Sequence, residues 1–218
     1  EPEGSQFDLS YFIKQGFNDS QIITGDYGFS TDAPETITFG ENEDEKQFSM
    51  RLPIDSASYV EYVYTIRKDN YMLGFDVNFV GMSRLLSNQS DIEILWRNVS
   101  PQNEKGFDNE NNYTTIAFMY PGQDGLEDLG MSKSTKSESV DTKIHWVAFK
   151  QQFFSSVLIA GNDFQNGELK YDTYQPGEGK IKDFYAKLSV PFSAQTQSCD
   201  FQMYYGPNKY SVLKKYDN

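Results

Sequence analysis

Alternation of apolar and polar residues with a period of two runs through most of this chain and restricts its fold more than any other feature. Clear examples are the runs Phe7 to Ile13, Phe48 to Ile54, Phe184 to Val190 and Cys199 to Tyr205. Successive side chains of a strand point to opposite faces, so each run predicts a strand with one buried and one exposed face. Counting the weaker runs as well, we expect about 14 to 18 strands.

One pair of runs predicts a hairpin. The alternating run Val60 to Ile66 is followed by the turn-forming residues Lys68 to Asn70, and a second alternating run extends from Leu73 to Phe79. Strands with a single apolar face form antiparallel sheets that pack through those faces. The sequence has no internal repeat and no long linker, so we predict an all-β sandwich occupying residues 1–218 as a single domain.

Two polar segments interrupt the alternation. Ser100 to Asn112 is rich in Asn, Asp and Glu, and Pro121 to Lys143 begins with Pro and Gly and continues through Ser, Thr and Lys. Neither segment has an apolar period, and both are predicted to be exposed loops.

The C-terminal residues follow a different pattern. Gly206 and Pro207 end the last predicted strand, and proline is favoured at the first position of a helix. Tyr210, Leu213 and Tyr216 then fall near one face. We predict a short amphipathic helix from about residue 208 to residue 216.

The charge balance argues against several kinds of partner. The chain has 19 basic and 32 acidic residues and a formal net charge of −13. Such a surface repels phosphate backbones, so we expect no nucleic-acid partner. The same net charge disfavours electrostatic docking to anionic lipid. No apolar run approaches the ~20 residues needed to span a bilayer. With neither a signal peptide nor an initiator methionine at Glu1, the chain is expected to be an excised or processed fragment.

The residues with reactive side chains do not form a catalytic or metal-binding pattern. His145 is the only histidine and Cys199 the only cysteine. A lone histidine without other ligands is more often a polar residue at the start of a strand than a general base or metal ligand. Cys199 alternates with Phe201 and Met203, which is typical of a small buried apolar residue. We predict no catalytic residue, no metal site and no cofactor.

The stretch from His145 to Ser156 is unusually rich in aromatic residues. Helical spacing fits Trp146, Phe149, Phe153 and Val157. Strand spacing fits Val147, Phe149, Phe153, Val157 and Ile159. The pattern alone leaves both alternatives open.

Three patches resemble the periplasmic domain of membrane insertases of the YidC/Oxa family. The first is Leu95-Trp96, followed by Glu104-Lys105, Glu110 and Tyr113-Thr114-Thr115; the second is the run Trp146 to Phe154. The third and most specific is the run Gly206 to Tyr216, which is similar to the Gly-Pro-x-x-Tyr-x-x-Leu segment ahead of the family's second transmembrane helix. Their order and spacing agree with that domain over most of the chain, whereas residues 1–90 match in strand character only.

This resemblance implies a β-supersandwich similar to galactose mutarotase, with the Trp146 run as a strand and a C-terminal helix that leads toward the membrane. It places the domain at the periplasmic face of the bacterial inner membrane. It implies a non-catalytic scaffold or docking role in the insertion and folding of membrane proteins. The implied partners are accessory subunits of the Sec translocon, nascent membrane proteins and the domain's own transmembrane insertase core. That core is absent here, so the chain alone should lack insertase activity.

The resemblance also singles out residues. Gly206, Pro207, Tyr210, Leu213 and Tyr216 are expected to dock the C-terminal helix next to the membrane. Structural positions of the family motifs are expected at Trp96, Trp146, Phe149, Gln151, Phe153 and Phe154. The alternatives are a carbohydrate-binding or polysaccharide-modifying β-sandwich, which predicts a cleft with exposed Trp or Tyr, and a cell-surface adhesion sandwich. Only one histidine is present, so the pair of histidines usual in mutarotase-like enzymes is missing.

Overall fold

Two antiparallel sheets form the protein, as seen in a computed structural model that describes residues 4–193, 195 and 197–216. With strands numbered in chain order, the first sheet has six strands in the spatial order β10 (Lys136–Val140), β13 (Asn166–Thr173), β14 (Lys180–Pro191), β7 (Asp91–Pro101), β1 (Gln6–Gln15) and β2 (Asn18–Ile23).

The second sheet has nine strands. Their spatial order is β3 (Ser30–Thr31), β4 (Glu45–Pro53), β5 (Tyr59–Arg67), β6 (Met72–Val80), β15 (Ser198–Pro207), β12 (Phe154–Phe164), β11 (Ile144–Lys150), β8 (Thr115–Met119) and β9 (Glu127–Asp128). The predicted hairpin is present as β5 and β6, which pair with Val60 opposite Phe79 and Tyr64 opposite Phe75. The described residues form 15 strands, within the predicted range.

The apolar faces of the two sheets meet in one core. Trp96 of β7 stacks on Phe149 of β11 with ring centroids 3.9 Å apart, and Phe149 also stacks on Phe184 of β14 at 5.0 Å. Toward another part of the interface, Phe7 of β1 meets Phe75 of β6 edge to face at 5.4 Å. These contacts join the six-stranded sheet to the nine-stranded sheet. The fold is therefore the all-β sandwich predicted from the alternation, with the β-supersandwich architecture that the family resemblance implies.

The aromatic stretch near Trp146 is a β-hairpin rather than a helix. β11 ends at Lys150, residues 151–153 turn, and β12 begins at Phe154. Phe149 pairs with Ser156 and Lys150 with Ser155. The structure therefore resolves the alternatives that the spacing left open, because strand pairing fixes which residues share a face.

The first polar segment was wrongly predicted to be a loop throughout. It contains a short helix, α1 (Phe107–Tyr113), in which Glu110 and Asn111 are buried. The Glu110 carboxylate accepts hydrogen bonds from the backbone N–H groups of Asn103 and Glu104 at 3.0–3.1 Å. A helix held by a buried carboxylate leaves no apolar period in the sequence, which explains why the pattern missed it.

The second polar segment also contains regular structure. β10 pairs antiparallel with β13 at the edge of the six-stranded sheet, and the two-residue strand β9 pairs with β8. Four of the five residues of β10 are exposed. An edge strand buries little surface, so its sequence resembles that of a loop.

The C-terminal helix is shorter than predicted. α2 (Tyr210–Leu213) is followed by a 3₁₀ turn over Lys214–Tyr216. Pro207 does not open the helix, since it is the last residue of β15 and Lys209 occupies the N-cap position. No helix in the described part of the chain is long and apolar enough to span a bilayer.

Candidate docking groove beside the C-terminal helix

An apolar groove of about 500 Å³ lies between α2 and the outer face of the nine-stranded sheet. Alternation along the strands produces it, because Val147 and Phe149 of β11 point into the core while Trp146 and Ala148 point outward. The apolar side chains that line it are Met72, Ala117, Met119, Leu126, Trp146, Ala148, Val157, Ile159 and Leu213.

Few polar groups line the groove. His145, Lys150, Ser155 and Asn208 contribute to its wall. His145 is half-exposed, and its Nδ1 lies 2.9 Å from an oxygen of Asp163. Such a lining, mostly apolar with a few placed polar groups, is typical of sites that bind apolar ligands or protein segments.

Tyrosine contacts hold the C-terminal turn against the sheet. The Tyr216 hydroxyl donates to Oδ1 of Asn70 at 2.7 Å and accepts from the backbone N–H of Tyr71 at 3.1 Å. The Tyr216 ring meets the Tyr204 ring edge to face at 5.4 Å. The β5–β6 turn, which the sequence indicated only as a turn, is thus the anchor for the end of the chain.

Gly206 allows the close packing of these rings. A Cβ atom at this position would lie 2.6 Å from the Tyr204 ring and hydroxyl and 2.9 Å from Cγ of Tyr71. The Tyr204 hydroxyl donates to the Pro207 carbonyl at 2.8 Å. Any larger residue at position 206 would therefore displace a tyrosine that supports α2.

Asn208 ties the start of the C-terminal segment to the β11–β12 hairpin. Its Nδ2 donates to the Gln151 carbonyl at 2.7 Å, its Oδ1 accepts from the Ser155 hydroxyl at 2.6 Å, and its backbone N–H donates to the Phe153 carbonyl at 2.7 Å. This role could not be predicted from the sequence, because an asparagine after proline is equally typical of a plain turn.

The residues singled out from the sequence fall into three places. Trp146, Leu213 and Tyr216 line the groove, whereas Trp96 and Phe149 lie between the sheets and do not reach it. Gln151, Phe153 and Phe154 form the hairpin beside it, with Phe153 and Phe154 exposed. Gly206 and Pro207 lie at the end of β15, just before α2, where the Pro207 carbonyl accepts a hydrogen bond from the Tyr204 hydroxyl. Tyr210 is largely exposed.

Cys199 and the possible metal ligands do not form a reactive site among the described residues. Cys199 is buried in β15, and burial, with a contribution from Asp200, raises the pKa of its thiol to about 12. A thiol in that environment is not a nucleophile at neutral pH. Among the described residues, no group of three His, Cys, Asp or Glu side chains is close enough to hold a metal ion.

A second cavity opens on the side of the molecule where β1 faces β4 to β6. It measures about 490 Å³ and has an aromatic wall in which Phe48 stacks on Tyr64 at 4.9 Å. Asp8 and Tyr27 also line it. Leu213 of α2 lines the groove, whereas no residue of α2 lines this second cavity.

Comparisons with known proteins agree on the family. The model of the YidC periplasmic domain family matches residues 4–218. A relative from Bacteroides fragilis, named membrane protein insertase YidC, is 37% identical over 178 residues, which are 81% of this chain and 28% of the relative. A relative of the same name from Phocaeicola vulgatus is 33% identical over 204 residues, which are 93% of this chain and 31% of the relative.

The chain thus spans less than a third of the length of these two relatives. Among solved structures, an alpha-galactosidase from Geobacillus stearothermophilus superposes with a TM-score of 0.41 and 9% sequence identity, over 92% of this chain and 30% of that one. A likeness of that extent supports no conclusion about activity. The family match over nearly all of the chain does support one about membership: this chain belongs to the YidC periplasmic domain family.

Proposed function

We propose that this domain is a non-catalytic docking module on the periplasmic side of a membrane protein insertase. The observation that carries the proposal is the apolar groove whose one wall is the C-terminal helix. A groove lined by methionine, tryptophan and branched aliphatic side chains suits apolar segments of varied sequence, since methionine adapts its shape to different partners.

The partners that we propose are accessory subunits of the Sec translocon and nascent membrane proteins. Both classes of protein carry apolar segments, and exposing such segments to water is unfavourable by about 25 cal/mol per Å². Trp146 is the strongest candidate for an anchor within the groove, because tryptophan dominates binding energy at many protein interfaces.

The C-terminal helix gives the domain a mechanical link to the transmembrane core of its parent. Gly206 and Pro207 set the direction in which the chain leaves β15, and Leu213 and Tyr216 lay the helix along the groove. A partner that enters the groove would contact the helix, so binding would bias the position of that link. In this role Tyr210 stays available for contacts outside the domain.

A non-catalytic role is supported by the isolation of the reactive groups. The His145–Asp163 pair has the composition of a general base with its orienting carboxylate, but His145 is the only histidine, so the pair of histidines usual in mutarotase-like enzymes is missing. We therefore assign His145 to the rim of the groove and propose no cofactor.

Cross-linking inside the native parent protein tests the docking role. Photo-reactive residues replace Val157 and Met119 in the groove, and Phe17, at the exposed tip of the β1–β2 hairpin, serves as the control position. We expect Sec accessory subunits or nascent membrane proteins to be captured from the groove positions and not from position 17. Equal capture from all three positions, or from none, would contradict the proposal.

The aromatic cavity favours one second candidate, binding of a carbohydrate. The stacked pair Phe48 and Tyr64 and the carboxylate of Asp8 lie in one cavity. An apolar lining with a few polar groups is typical of small-molecule sites. A glycan-array screen of the domain separates the two candidates. Carbohydrate recognition would be supported if the domain binds a glycan and Phe48→Ala abolishes that binding, while the groove positions capture no protein in the cross-linking experiment.

A further inference from the structure

Exposed aromatic residues and lysines gather at one end of the nine-stranded sheet. The β11–β12 turn presents Phe153 and Phe154, which are 52% and 58% exposed, and α2 presents Tyr210, which is 76% exposed. Asn208 brings these two elements together, since it bonds both to the Gln151 carbonyl and to the Phe153 carbonyl. We call this surface the aromatic tip.

The charge of the tip is opposite to that of the whole chain. The tip carries Lys150, Lys209, Lys214 and Lys215. Although the chain has 32 acidic residues, residues 144–162 and 201–216 contain none. The net charge of −13 therefore does not describe this surface.

Distance separates the tip from the acidic turn around Glu43 at the same end of the sheet. That turn precedes β4, which lies four strands away from β12 in the sheet order. At the usual strand spacing this is about 19 Å, roughly twice the distance over which charges act in physiological salt. Nearer acids are Asp69, in the β5–β6 turn beside α2, and Glu127 and Asp128 of β9, which lies two strands from β11.

Exposed aromatic rings alongside lysines are the composition of a membrane interface. Tyrosine rings settle at the level of the lipid headgroups, and phenylalanine rings at the boundary between headgroups and acyl chains. Lysines extend their ammonium groups toward anionic lipids. Each lysine near such a surface contributes favourably to binding. Salt screens charges that lie farther away than a Debye length, so the charges close to the membrane determine the attraction. Protein–protein interfaces are enriched in arginine and depleted in lysine, so the lysines of the tip favour a lipid surface over a protein partner.

We propose that the aromatic tip rests on the surface of a bilayer that contains anionic lipid, with Tyr210 at headgroup depth and Phe153 and Phe154 at the boundary between headgroups and acyl chains. The inference rests on the proposed function only for the location of the domain next to a membrane, because lipid contact needs no protein partner.

Vesicle binding tests the inference with the full 218-residue chain. The chain is sedimented with vesicles of phosphatidylcholine alone and with vesicles that contain roughly one third phosphatidylglycerol. We expect the chain to pellet with the anionic vesicles and to remain in the supernatant with the neutral ones. Absence of pelleting with both kinds of vesicle would overturn the proposal, whatever the outcome of the cross-linking for the groove.

Two variants locate the contact. Phe153→Ser combined with Phe154→Ser removes the rings, and Lys214→Gln combined with Lys215→Gln removes two charges. We expect each pair to weaken partitioning into anionic vesicles by about tenfold or more. The matched controls are Phe17→Ser, a fully exposed ring at the far hairpin, and Lys14→Gln, an exposed lysine of the same hairpin.

The controls should bind as the unchanged chain does. Equal losses in the tip variants and in the controls would overturn the assignment to the tip, as would unchanged binding of both tip variants. All substitutions are at exposed positions, and a thermal melt of each variant verifies that the fold is kept. Loss of binding with an unchanged melt supports the contact.

Discussion

At the scale of single residues, Asn208 is the position on which the candidate groove depends most directly. Its side-chain amide donates to the Gln151 carbonyl and accepts from the Ser155 hydroxyl, both in the β11–β12 hairpin. No other side chain among the described residues bonds the hairpin turn to the C-terminal segment in this way. Asn208 therefore sets the distance between the aromatic hairpin and α2.

We predict that Asn208→Ala lowers the free energy of unfolding by about 1–2 kcal/mol, since two part-buried hydrogen bonds are lost. Urea unfolding monitored by circular dichroism measures the change. The control is Asn42→Ala, at an exposed loop position. A loss of the same size in the control would show that the Asn208 bonds contribute nothing specific.

Lys182 is a second residue with an unusual environment. It is fully buried in β14, donates a hydrogen bond to the Thr114 carbonyl and lies 3.8 Å from the centre of the Tyr171 ring. Burial, with a contribution from Lys136, lowers its pKa from 10.5 to about 8. The folded chain thus binds fewer protons than the unfolded chain between about pH 8 and pH 10.5, so this group makes stability rise with pH across that window.

Replacing the lysine should remove that dependence. We predict that the stability of the unchanged chain rises relative to Lys182→Met by about 2 kcal/mol between about pH 7.5 and pH 10. Comparing the two chains at each pH by urea unfolding cancels the contributions of tyrosines and Cys199, which both chains share. A difference that stays constant with pH would show that Lys182 titrates near its ordinary value.

At the scale of elements, α2 is held by side chains and not by its own length. A helix of four residues is too short to be stable alone, since helices below about 12 residues are marginal in water. Its position depends on Tyr216, which bonds Asn70 and Tyr71, and on Leu213, which lies over the groove. The stability of α2 therefore depends on these tertiary contacts.

We predict that Leu213→Asp releases this element and speeds amide hydrogen exchange across residues 208–216 by about tenfold or more, while the sheets keep their protection. A charge at position 213 would have to be desolvated against the apolar wall of the groove. Ser211→Asp, at an exposed position of the same helix, is the control. Unchanged exchange in the Leu213 variant would exclude the docking role of this side chain.

At the scale of the whole molecule, the two sheets are joined through a stack of rings. Trp96 of one sheet lies against Phe149 of the other, and Phe149 continues onto Phe184. Such a stack buries large apolar surfaces and fixes the relative position of the sheets. The two sheets should consequently unfold as one cooperative unit.

We predict that Trp96→Ala lowers stability by about 3–5 kcal/mol and that Trp146→Ala costs clearly less, because Trp146 lies on the groove and not in the core. Unfolding followed in parallel by circular dichroism and fluorescence should give coincident transitions for the unchanged chain. Separate transitions for the two sheets would contradict a single domain, and equal losses in the two variants would contradict their different locations.

Much of the fold could be predicted because strands reveal themselves locally. The alternation of Val60 to Ile66 and of Leu73 to Phe79 predicted a hairpin, which the structure contains. The short helix α1 escaped prediction because the buried Glu110, bonded to backbone N–H groups outside the helix, replaces an apolar face. Pro207 was predicted to open the helix but ends β15, because a proline is compatible with the end of a strand as well as with the start of a helix.

The sequence alone determined the fold class, the existence of a C-terminal helix and the family, because these depend on local periodicity and on short motifs such as Gly206 to Tyr216. Only the tertiary structure decided the groove, the partners of Asn208 and the basic aromatic tip. Each of these brings together residues far apart in the chain, such as Asn70 with Tyr216. A composition gives the sum of the charges, whereas the pairing of strands decides where they lie.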